Sequence, residues 1–250
     1  MYLELNNIKK SFGEGDNRNE VLKGITCGVE KGHICVLLGP SGSGKSTLLN
    51  IIGGIDNADS GSVSINGEKV ESMNEKELSQ YRRKHIGYVF QSYNLIPNLT
   101  VKENLELMCG VYGFPKEKKR TKVSELSEQF ELTQILHKKA GKLSGGWQRR
   151  LSIAMALIGE PKILFLDEPT LGLDVIARSE LWETIRSLKG KITIILTTHY
   201  MEEAEELSDR IGIMKAGRLL AIGTVEELKE KAGTDKFEDA FVKIVKEEAK

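Results

Sequence analysis

Short apolar runs that end in polar residues recur along this chain. Ile34–Leu38, Ile163–Leu166 and Ile192–Leu196 are almost continuously apolar or β-branched, which is typical of strands buried on both faces. Between the first two runs, residues 101 to 158 carry apolar side chains at helical spacing. This order predicts an α/β domain into which a helical subdomain is inserted.

Turn and capping residues place the remaining elements. Asn66-Gly67 predicts a hairpin turn, and Pro115 predicts the start of a helix. The chain is expected to close with two strands, near Ile211–Lys215 and Arg218–Ile222, and then two helices. Three pairs have the capping-box spacing that opens a helix: Asn74 with Glu77, Thr100 with Glu103, and Thr224 with Glu227.

A glycine-rich segment follows the first apolar run. Its spacing is that of a phosphate-binding loop, and a strand before it and helix-forming residues after it supply the context that this motif requires. The alternative, a glycine-rich turn with a surface lysine, leaves the full spacing unexplained. The loop consists of Gly39, Pro40, Ser41, Gly42, Ser43, Gly44, Lys45, Ser46 and Thr47.

The residue types in this loop suit a nucleoside triphosphate. Glycines let backbone N–H groups point inward around an anion, and a helix start adds unpaired N–H donors. Lys45 is expected to reach the outer phosphates as a mobile charge. The Ser46 hydroxyl is placed to coordinate Mg²⁺.

Two carboxylates, Asp167 and Glu168, follow the second apolar run. Ligands of phosphate-loop folds lie at the carboxyl ends of parallel strands, so Asp167 is expected beside the phosphate loop, holding Mg²⁺ through water. Glu168 is placed to orient or deprotonate the attacking water. The alternative is a capping pair at a strand end.

Three further features are weak by themselves. Ser144, Gly145 and Gly146 at a predicted helix start form a second potential anion site, although a serine cap with glycines is common. His199 follows the third apolar run, but a lone histidine is more often structural. Phe12 is either a core aromatic, which its local sequence favours, or a platform for an adenine.

Composition excludes several classes of protein. Thirty-six basic and 36 acidic residues cancel, so we expect no nucleic-acid partner. No apolar run approaches the roughly 18 residues of a membrane helix, and Met1–Leu5 does not begin a signal peptide. Cys27, Cys35 and Cys109 lack metal-site spacing and are expected to be buried free thiols in a reducing cytosol.

Together these motifs resemble the nucleotide-binding subunit of an ATP-binding cassette (ABC) transporter, over essentially the whole chain. Short independent motifs in one family order rarely coincide. The order is the phosphate loop, the Q-loop at Gln91, the signature motif at Leu143–Gln148, Walker B at Ile163–Glu168, the D-loop at Asp174 and the switch histidine at His199.

One position departs from the family pattern. Trp147 stands where the family more often has Gln, Met or another polar or flexible residue. A bulky ring there either alters closure of a dimer or packs against the helical subdomain, and the sequence leaves both open.

The resemblance implies ATP and Mg²⁺ as ligands and a role for each motif. Phe12 would stack on the adenine, which reverses the local preference for the core. Gln91 would touch Mg²⁺ and sense the partner protein. Glu168 would be the general base, and His199, with Lys45, would contact the γ-phosphate.

The resemblance also implies that two copies, identical or not, pair head to tail. Ser144, Gly145 and Gly146 of one copy would close over ATP held by the other, and Asp174 would couple the two sites. Closure and hydrolysis would energise a separate membrane permease, contacted by the apolar loop after Gln91. The chain would then lie on the inner face of the cell membrane.

Two stretches resemble particular exporters. Residues 82–97 resemble lipoprotein-release and macrolide-export ATPases, and residues 166–174 with the short tail resemble drug and sodium exporters of the ABC-2 type. We therefore predict export of a drug, peptide or lipid-like cargo. The alternative is a soluble ABC ATPase of translation or DNA repair, but those usually carry two cassettes, a long coiled coil or a zinc insertion.

We expect residues 1–250 to form a single ABC ATPase domain of the α/β class. Residues 1–91 and 160–225 would form a P-loop NTPase core with a mixed or parallel sheet and an N-terminal antiparallel β region. Residues 92–159 would form the helical subdomain, and residues 226–250 a helical tail.

Overall fold

The computed structural model describes residues 1–247, and of Asp16 only the backbone. The last three positions of the predicted tail, 248–250, lie outside the described residues. The chain forms two compact units. The first contains Met1–Gln80 and the residues from Lys189 onward, and the second is Tyr81–Leu188.

The described residues form strands and helices in an order that begins and ends in the first unit. The strands are β1 Leu3–Phe12, β2 Asn19–Val29, β3 Ile34–Leu38, β4 Ser60–Ile65, β5 Glu68–Lys69, β6 Ile86–Val89, β7 Ile163–Asp167, β8 Thr193–Thr198, β9 Arg210–Lys215 and β10 Arg218–Gly223. The α-helices are α1 Lys45–Ile52, α2 Glu75–His85, α3 Val101–Val111, α4 Lys116–Gln129, α5 Gly145–Ala156, α6 Val175–Arg186, α7 Met201–Leu207, α8 Val225–Ala232 and α9 Phe237–Glu247.

The first unit contains two β-structures. One is an antiparallel sheet in the order β2-β1-β4-β5, and its hairpin turn at Asn66 (φ 52°) and Gly67 (φ 82°) confirms the predicted turn. In the other, β3 pairs in parallel with β8 and β9, and β10 pairs antiparallel with β9. Every residue of β3 and β8 is buried, as their continuous apolar character predicts.

The second unit contains a parallel pair and four helices. Strands β6 and β7 run in register from Ile86 opposite Ile163 to Val89 opposite Leu166. Helices α3 to α6 belong to this unit, which contains the predicted helical segment 92–159. The division into core, subdomain and tail stays a prediction.

The predicted helix starts are confirmed by their caps. Thr100 and Thr224 each form a complete capping box at the start of α3 and α8. Asn74 forms the same reciprocal bonds with Glu77, at 2.8 and 3.1 Å. Pro115 directly precedes α4.

Two details of the helices differ from the expectations. The sequence predicts that the helix capped by Asp174 runs from Val175 to about Lys189, whereas α6 ends at Arg186. The chain turns shortly afterwards at Gly190 (φ 77°), whose N–H donates to the Gly32 carbonyl. Helix α7 has only seven residues, so it is too short for a periodic apolar signal and was not predicted.

The cysteines are free thiols, as expected, and they differ in burial. Cys35 and Cys109 are buried, whereas Cys27 is partly exposed. Desolvation raises the pKa of Cys27 to about 11 and that of Cys35 to about 12, which keeps both thiols protonated and unreactive at neutral pH.

Membrane-spanning character is absent from the helices of residues 1–247. None of them has both the length and the apolar character needed to cross a membrane.

Gly61 and Gly190 offer a matched test of the first unit's packing. Both have positive φ, so replacing either by Ala should cost about 1–2 kcal/mol of stability through the left-handed backbone. A Cβ at Gly61 would also overlap the backbone oxygens of Asn6 and Asn7, whereas one at Gly190 meets nothing within 4 Å. Chemical denaturation should therefore show the larger loss for Gly61→Ala, and equal losses would contradict this packing.

Candidate active site

The phosphate loop connects β3 to α1 in the first unit. Gly42 (φ 77°) and Gly44 (φ 97°) both adopt the left-handed conformation, and α1 begins directly afterwards at Lys45 with Gly44 as its N-cap. The helix start leaves N–H groups without intrahelical partners. Strand, loop and helix therefore have the arrangement that the motif predicted.

Two polar side chains of the loop are buried in a way that suits an anion. The Lys45 ammonium is 4% exposed and donates to the carbonyls of Gly39 and Pro40, at 2.8 and 3.1 Å. The Ser43 hydroxyl is buried and forms no hydrogen bond with any atom of residues 1–247. A buried polar group without a partner is costly, and a phosphate oxygen would satisfy it.

Backbone contacts hold the loop against the neighbouring strands. The Gly39 N–H donates to the Thr198 carbonyl at 3.3 Å, and the Gly217 N–H donates to the Ser43 carbonyl at 3.1 Å. A Cβ at Gly39 would overlap the Met214 carbonyl. Only glycine fits at the first position of the loop for this reason.

His199 follows β8 at the edge of the sheet from which the phosphate loop leaves. Leu38, the last residue of β3, pairs with Thr198, so Gly39 and His199 leave neighbouring strands at the same end. The His199 ring lies 4.1 Å from that of Tyr200, centroid to centroid. His199 therefore lies at the carboxyl end of β8, as the sequence predicts.

Phe12 lies at the end of β1, and its side chain is 46% exposed. The local preference for a core aromatic is therefore wrong. The Lys10 ammonium lies 5.0 Å from the ring centroid. An exposed aromatic ring is available for stacking on a base, and that role stays a prediction.

The acidic pair lies in the second unit at the end of β7. Asp167 is its last residue and is 8% exposed. Glu168 follows in the left-handed conformation, at φ 46°, which costs a non-glycine residue about 1–3 kcal/mol and clusters at functional sites. Desolvation, and then the charge of Asp167, raise the pKa of Tyr88.

Gln91 leaves β6 on the same side as the acidic pair leaves β7. Val89 pairs with Leu166 in the parallel register, so Gln91 and Glu168 both follow the carboxyl ends of adjacent strands. Gln91 itself is exposed. The structure therefore brings the predicted Q-loop and Walker B residues to one end of this strand pair.

The signature motif lies at the start of α5, and its serine hydroxyl does not cap the helix. Ser144 is the N-cap residue, but its side chain forms no capping hydrogen bond within the described chain, so an ordinary serine cap does not explain it. A Cβ at Gly145 would lie 3.0 Å from the Tyr93 hydroxyl, and one at Gly146 would lie 3.1 Å from the Ala177 Cβ. Close packing thus favours both glycines.

Trp147 is half-buried in the second unit. The Arg150 guanidinium carbon lies 5.0 Å from the centroid of its ring. Arg150 in turn pairs with Glu131 and Glu180. The ring therefore packs against an ion-paired arginine of α5, as one of the two alternatives predicts, and an effect on dimer closure stays a prediction.

The proposed magnesium ligands are oxygen donors, which suit this ion. Ser46 belongs to the first unit, and Gln91 and Asp167 belong to the second. No cluster of three or more His, Cys, Asp or Glu side chains able to hold a metal occurs in residues 1–247. A site of this kind relies on the phosphates as well as on protein ligands, so Mg²⁺ stays a prediction.

One buried residue of this region was not singled out from the sequence. Arg149 lies in the first half of α5 and is 1% exposed. Two basic residues in succession on a helix read as a solvated face. The only signal would have been its helical spacing, because Arg149 lies four residues before the apolar Ile153 and shares a face of α5 with it.

The fold and the glycine loop define the class of protein as a P-loop nucleoside triphosphatase (NTPase) of the cassette type. The family model described as "ABC transporter" matches residues 22–171 of this chain. The dimeric, post-hydrolysis structure of the ATP-binding cassette MJ0796 bound to ADP and Pi is 34% identical with a TM-score of 0.80, covering 89% of this chain and 98% of that one.

Curated relatives agree with that structural similarity. The bacitracin export ATP-binding protein BceA of Halalkalibacterium halodurans is 41% identical over 87% of this chain and 86% of its own length. The Nod factor export ATP-binding protein I of Burkholderia orbicola is 40% identical over 91% of this chain and 72% of its own length. This chain belongs to the ABC transporter family, as an ATP-binding subunit that hydrolyses ATP.

Asp174 provides a test of the D-loop's structural role. Its carboxylate accepts a hydrogen bond from the Ala177 N–H at 2.9 Å and caps α6. Asp174→Ala should cost about 1 kcal/mol of stability, whereas Asp174→Asn keeps a capping oxygen and should cost little. Urea denaturation of both variants measures this, and equal destabilisation would show that the cap is not the reason.

Proposed function

We propose that this ABC ATPase powers export through a separate membrane permease, on which it lies at the inner face of the cell membrane. The observation that carries the proposal is the similarity to two export ATP-binding proteins at about equal identity, 41% and 40%. The proposed cargo is a drug, peptide or lipid-like molecule, the class to which the resemblance points.

ATP binding is assigned to residues of several motifs. Phe12 stacks on the adenine, the N–H groups of the phosphate loop surround the phosphates, and Lys45 contacts their outer oxygens. Ser46, Gln91 and Asp167 would hold Mg²⁺, which would neutralise charge on the phosphates when bound. The uncommitted Ser43 hydroxyl supports the phosphate assignment.

Hydrolysis is assigned to Glu168 and His199. Glu168 accepts a proton from water while the water oxygen bonds to the γ-phosphorus and the bond to the bridging oxygen breaks, which yields ADP and phosphate. His199 donates a hydrogen bond to the γ-phosphate. Glu168 shares its left-handed backbone with Glu131, Glu160 and Ala216, but it alone of these four follows a strand of the predicted Walker B motif, and such strain clusters at functional sites.

Two copies are assigned to a head-to-tail dimer, in which each contributes to the other's site. The N-terminus of α5, with Ser144, Gly145 and Gly146, closes over ATP held by the partner copy, and Asp174 couples the two sites. ATP favours closure through its higher affinity for the closed state. Because the Ser144 hydroxyl makes no cap, it is available to a phosphate.

The permease contact is assigned to the apolar surface after Gln91. Ile96 in that loop is 42% exposed, and Leu107 and Val111 on α3 are 43% and 58% exposed. Leu107 and Val111 are four residues apart and share one helix face. Exposed apolar side chains in a group are typical of protein interaction sites.

Glu168→Gln tests the hydrolysis mechanism. The variant should bind ATP like the wild type but turn it over about 10²–10³-fold more slowly, the usual cost of losing one well-placed polar group. Nucleotide binding by fluorescence and phosphate release by a coupled assay measure the two steps. Unchanged turnover in a preparation free of other ATPases would refute Glu168 as the base.

The same variant identifies the partner. We expect tagged Glu168→Gln, purified with ATP from detergent-solubilised native membranes, to retain a stoichiometric multi-span membrane protein through a salt wash. Recovery of ribosomal or DNA-repair components without a membrane protein would instead support the soluble class of ABC ATPase. The matched control is Lys45→Ala, which should bind ATP poorly.

A further inference from the structure

We propose that Arg149 is a positioning residue, which holds the Gln91 segment and the backbone of Glu168 in a fixed relation to the signature helix α5. The inference rests on the proposed roles of Gln91 and Glu168. Helix α5 with Arg149, the Gln91 segment and Glu168 all belong to the second unit, so their contacts lie within one compact body.

The burial of Arg149 requires specific partners. Its side chain is 1% exposed and is the largest of the fully buried side chains. A buried guanidinium is stabilised only where acceptors replace the water that it has lost. The hydrogen-bond acceptors of Arg149 therefore indicate its role in the structure.

Most of the contacts described for Arg149 are to the segment that contains Gln91. Its Nη1 donates to the Phe90 carbonyl at 2.7 Å, and its Nη2 donates to the Gln91 carbonyl at 3.2 Å. Its guanidinium carbon lies 4.7 Å from the centroid of the Tyr93 ring. One turn further along α5, the Ser152 hydroxyl donates to the Tyr93 carbonyl at 2.7 Å, so one face of α5 holds the segment at four points.

A further contact reaches the proposed base. The Arg149 Nη2 also lies 3.4 Å from the Glu168 carbonyl, at the long end of hydrogen-bond geometry. Glu168 has the left-handed backbone conformation, which persists only where its surroundings fix it. Arg149 is one of the groups that do so.

These contacts place Arg149 between three motifs. The signature residues Ser144–Gly146 lie at the start of α5, and Arg149 follows one turn later on the same helix. Because a helix moves as a rigid element, a displacement of its start also displaces Arg149 and the backbone groups that it binds. Contact of the signature motif with the partner copy's nucleotide is thereby transmitted to Gln91 and Glu168.

Arginine suits this task better than lysine. Its planar guanidinium donates to two carbonyls in one direction and stacks on an aromatic ring at the same time, whereas an ammonium does neither in that fixed geometry. We therefore expect Arg149→Lys to retain part of the effect and Arg149→Gln to lose it.

Steady-state ATP hydrolysis provides the test. Arg149→Gln should lower kcat about 10–100-fold, the usual cost of losing a group that orients catalytic residues, and Arg149→Lys should lower it less. KM for ATP should change much less than kcat, because Phe12 and the phosphate loop, which make most of the proposed contacts with ATP, belong to the first unit. Thermal melting establishes that each variant is folded, and if Arg149→Gln does not fold, the kcat of Arg149→Lys decides.

The matched control is Arg150→Gln. Arg150 lies on the same helix and is also buried, at 6% exposure, but it pairs with Glu131 and Glu180. Its loss should lower stability while kcat per folded molecule falls less than in Arg149→Gln. An equal or larger fall in kcat for Arg150→Gln would overturn the inference.

A double-mutant cycle with Glu168→Gln separates positioning from general damage. If Arg149 acts through Glu168, Arg149→Gln should slow single-turnover ATP cleavage much less in the Glu168→Gln background than in the wild type. The same factor in both backgrounds would overturn the inference. Unchanged turnover of Glu168→Gln alone would instead refute the proposed base, and the comparison with Arg150→Gln would still decide the role of Arg149.

Discussion

The first unit depends on the close backbone fit of the phosphate loop. The loop must turn its N–H groups toward an anion while one end stays in a buried strand and the other starts a helix. Hydrogen bonds from Gly39 to Thr198 and from Gly217 to Ser43 hold it between β8 and the β9–β10 turn. This leaves no space for a side chain at Gly39, so the register of three strands and the shape of the loop support each other.

In the second unit, a side chain holds the segments that carry the proposed chemistry. Gln91 and Glu168 leave adjacent parallel strands, where no regular hydrogen-bond ladder continues to hold them. Arg149 takes over from the ladder by donating to Phe90 and Gln91 and by approaching Glu168. The charge is buried at the end of the strand pair, where the carbonyls of Phe90 and Gln91 accept hydrogen bonds from it. A residue on a helix thus orders two loops that carry the proposed chemistry.

Local chemistry in the sequence predicted most of the elements and motifs. The capping boxes at Thr100 and Thr224 and the turn at Asn66-Gly67 are determined by residues within a few positions of one another, so they could be found without the fold. The preference for a buried Phe12 was wrong because Phe12 is the last residue of β1 and is 46% exposed, and local sequence does not show where a sheet stops covering its strand. Trp147 was left open because its neighbour Arg150 is ordered by the distant residues Glu131 and Glu180.

The sequence by itself determined the class of this protein, because the spacing of glycine, lysine and serine after an apolar strand specifies phosphate-binding chemistry wherever it occurs. It also determined which residues were candidates for that chemistry. Only the tertiary structure decided that Gly39 must lack a side chain, that Glu168 has a strained backbone and that Arg149 is buried. Each of these depends on atoms that are far apart in the chain, and packing between distant residues leaves no local pattern from which it could be predicted.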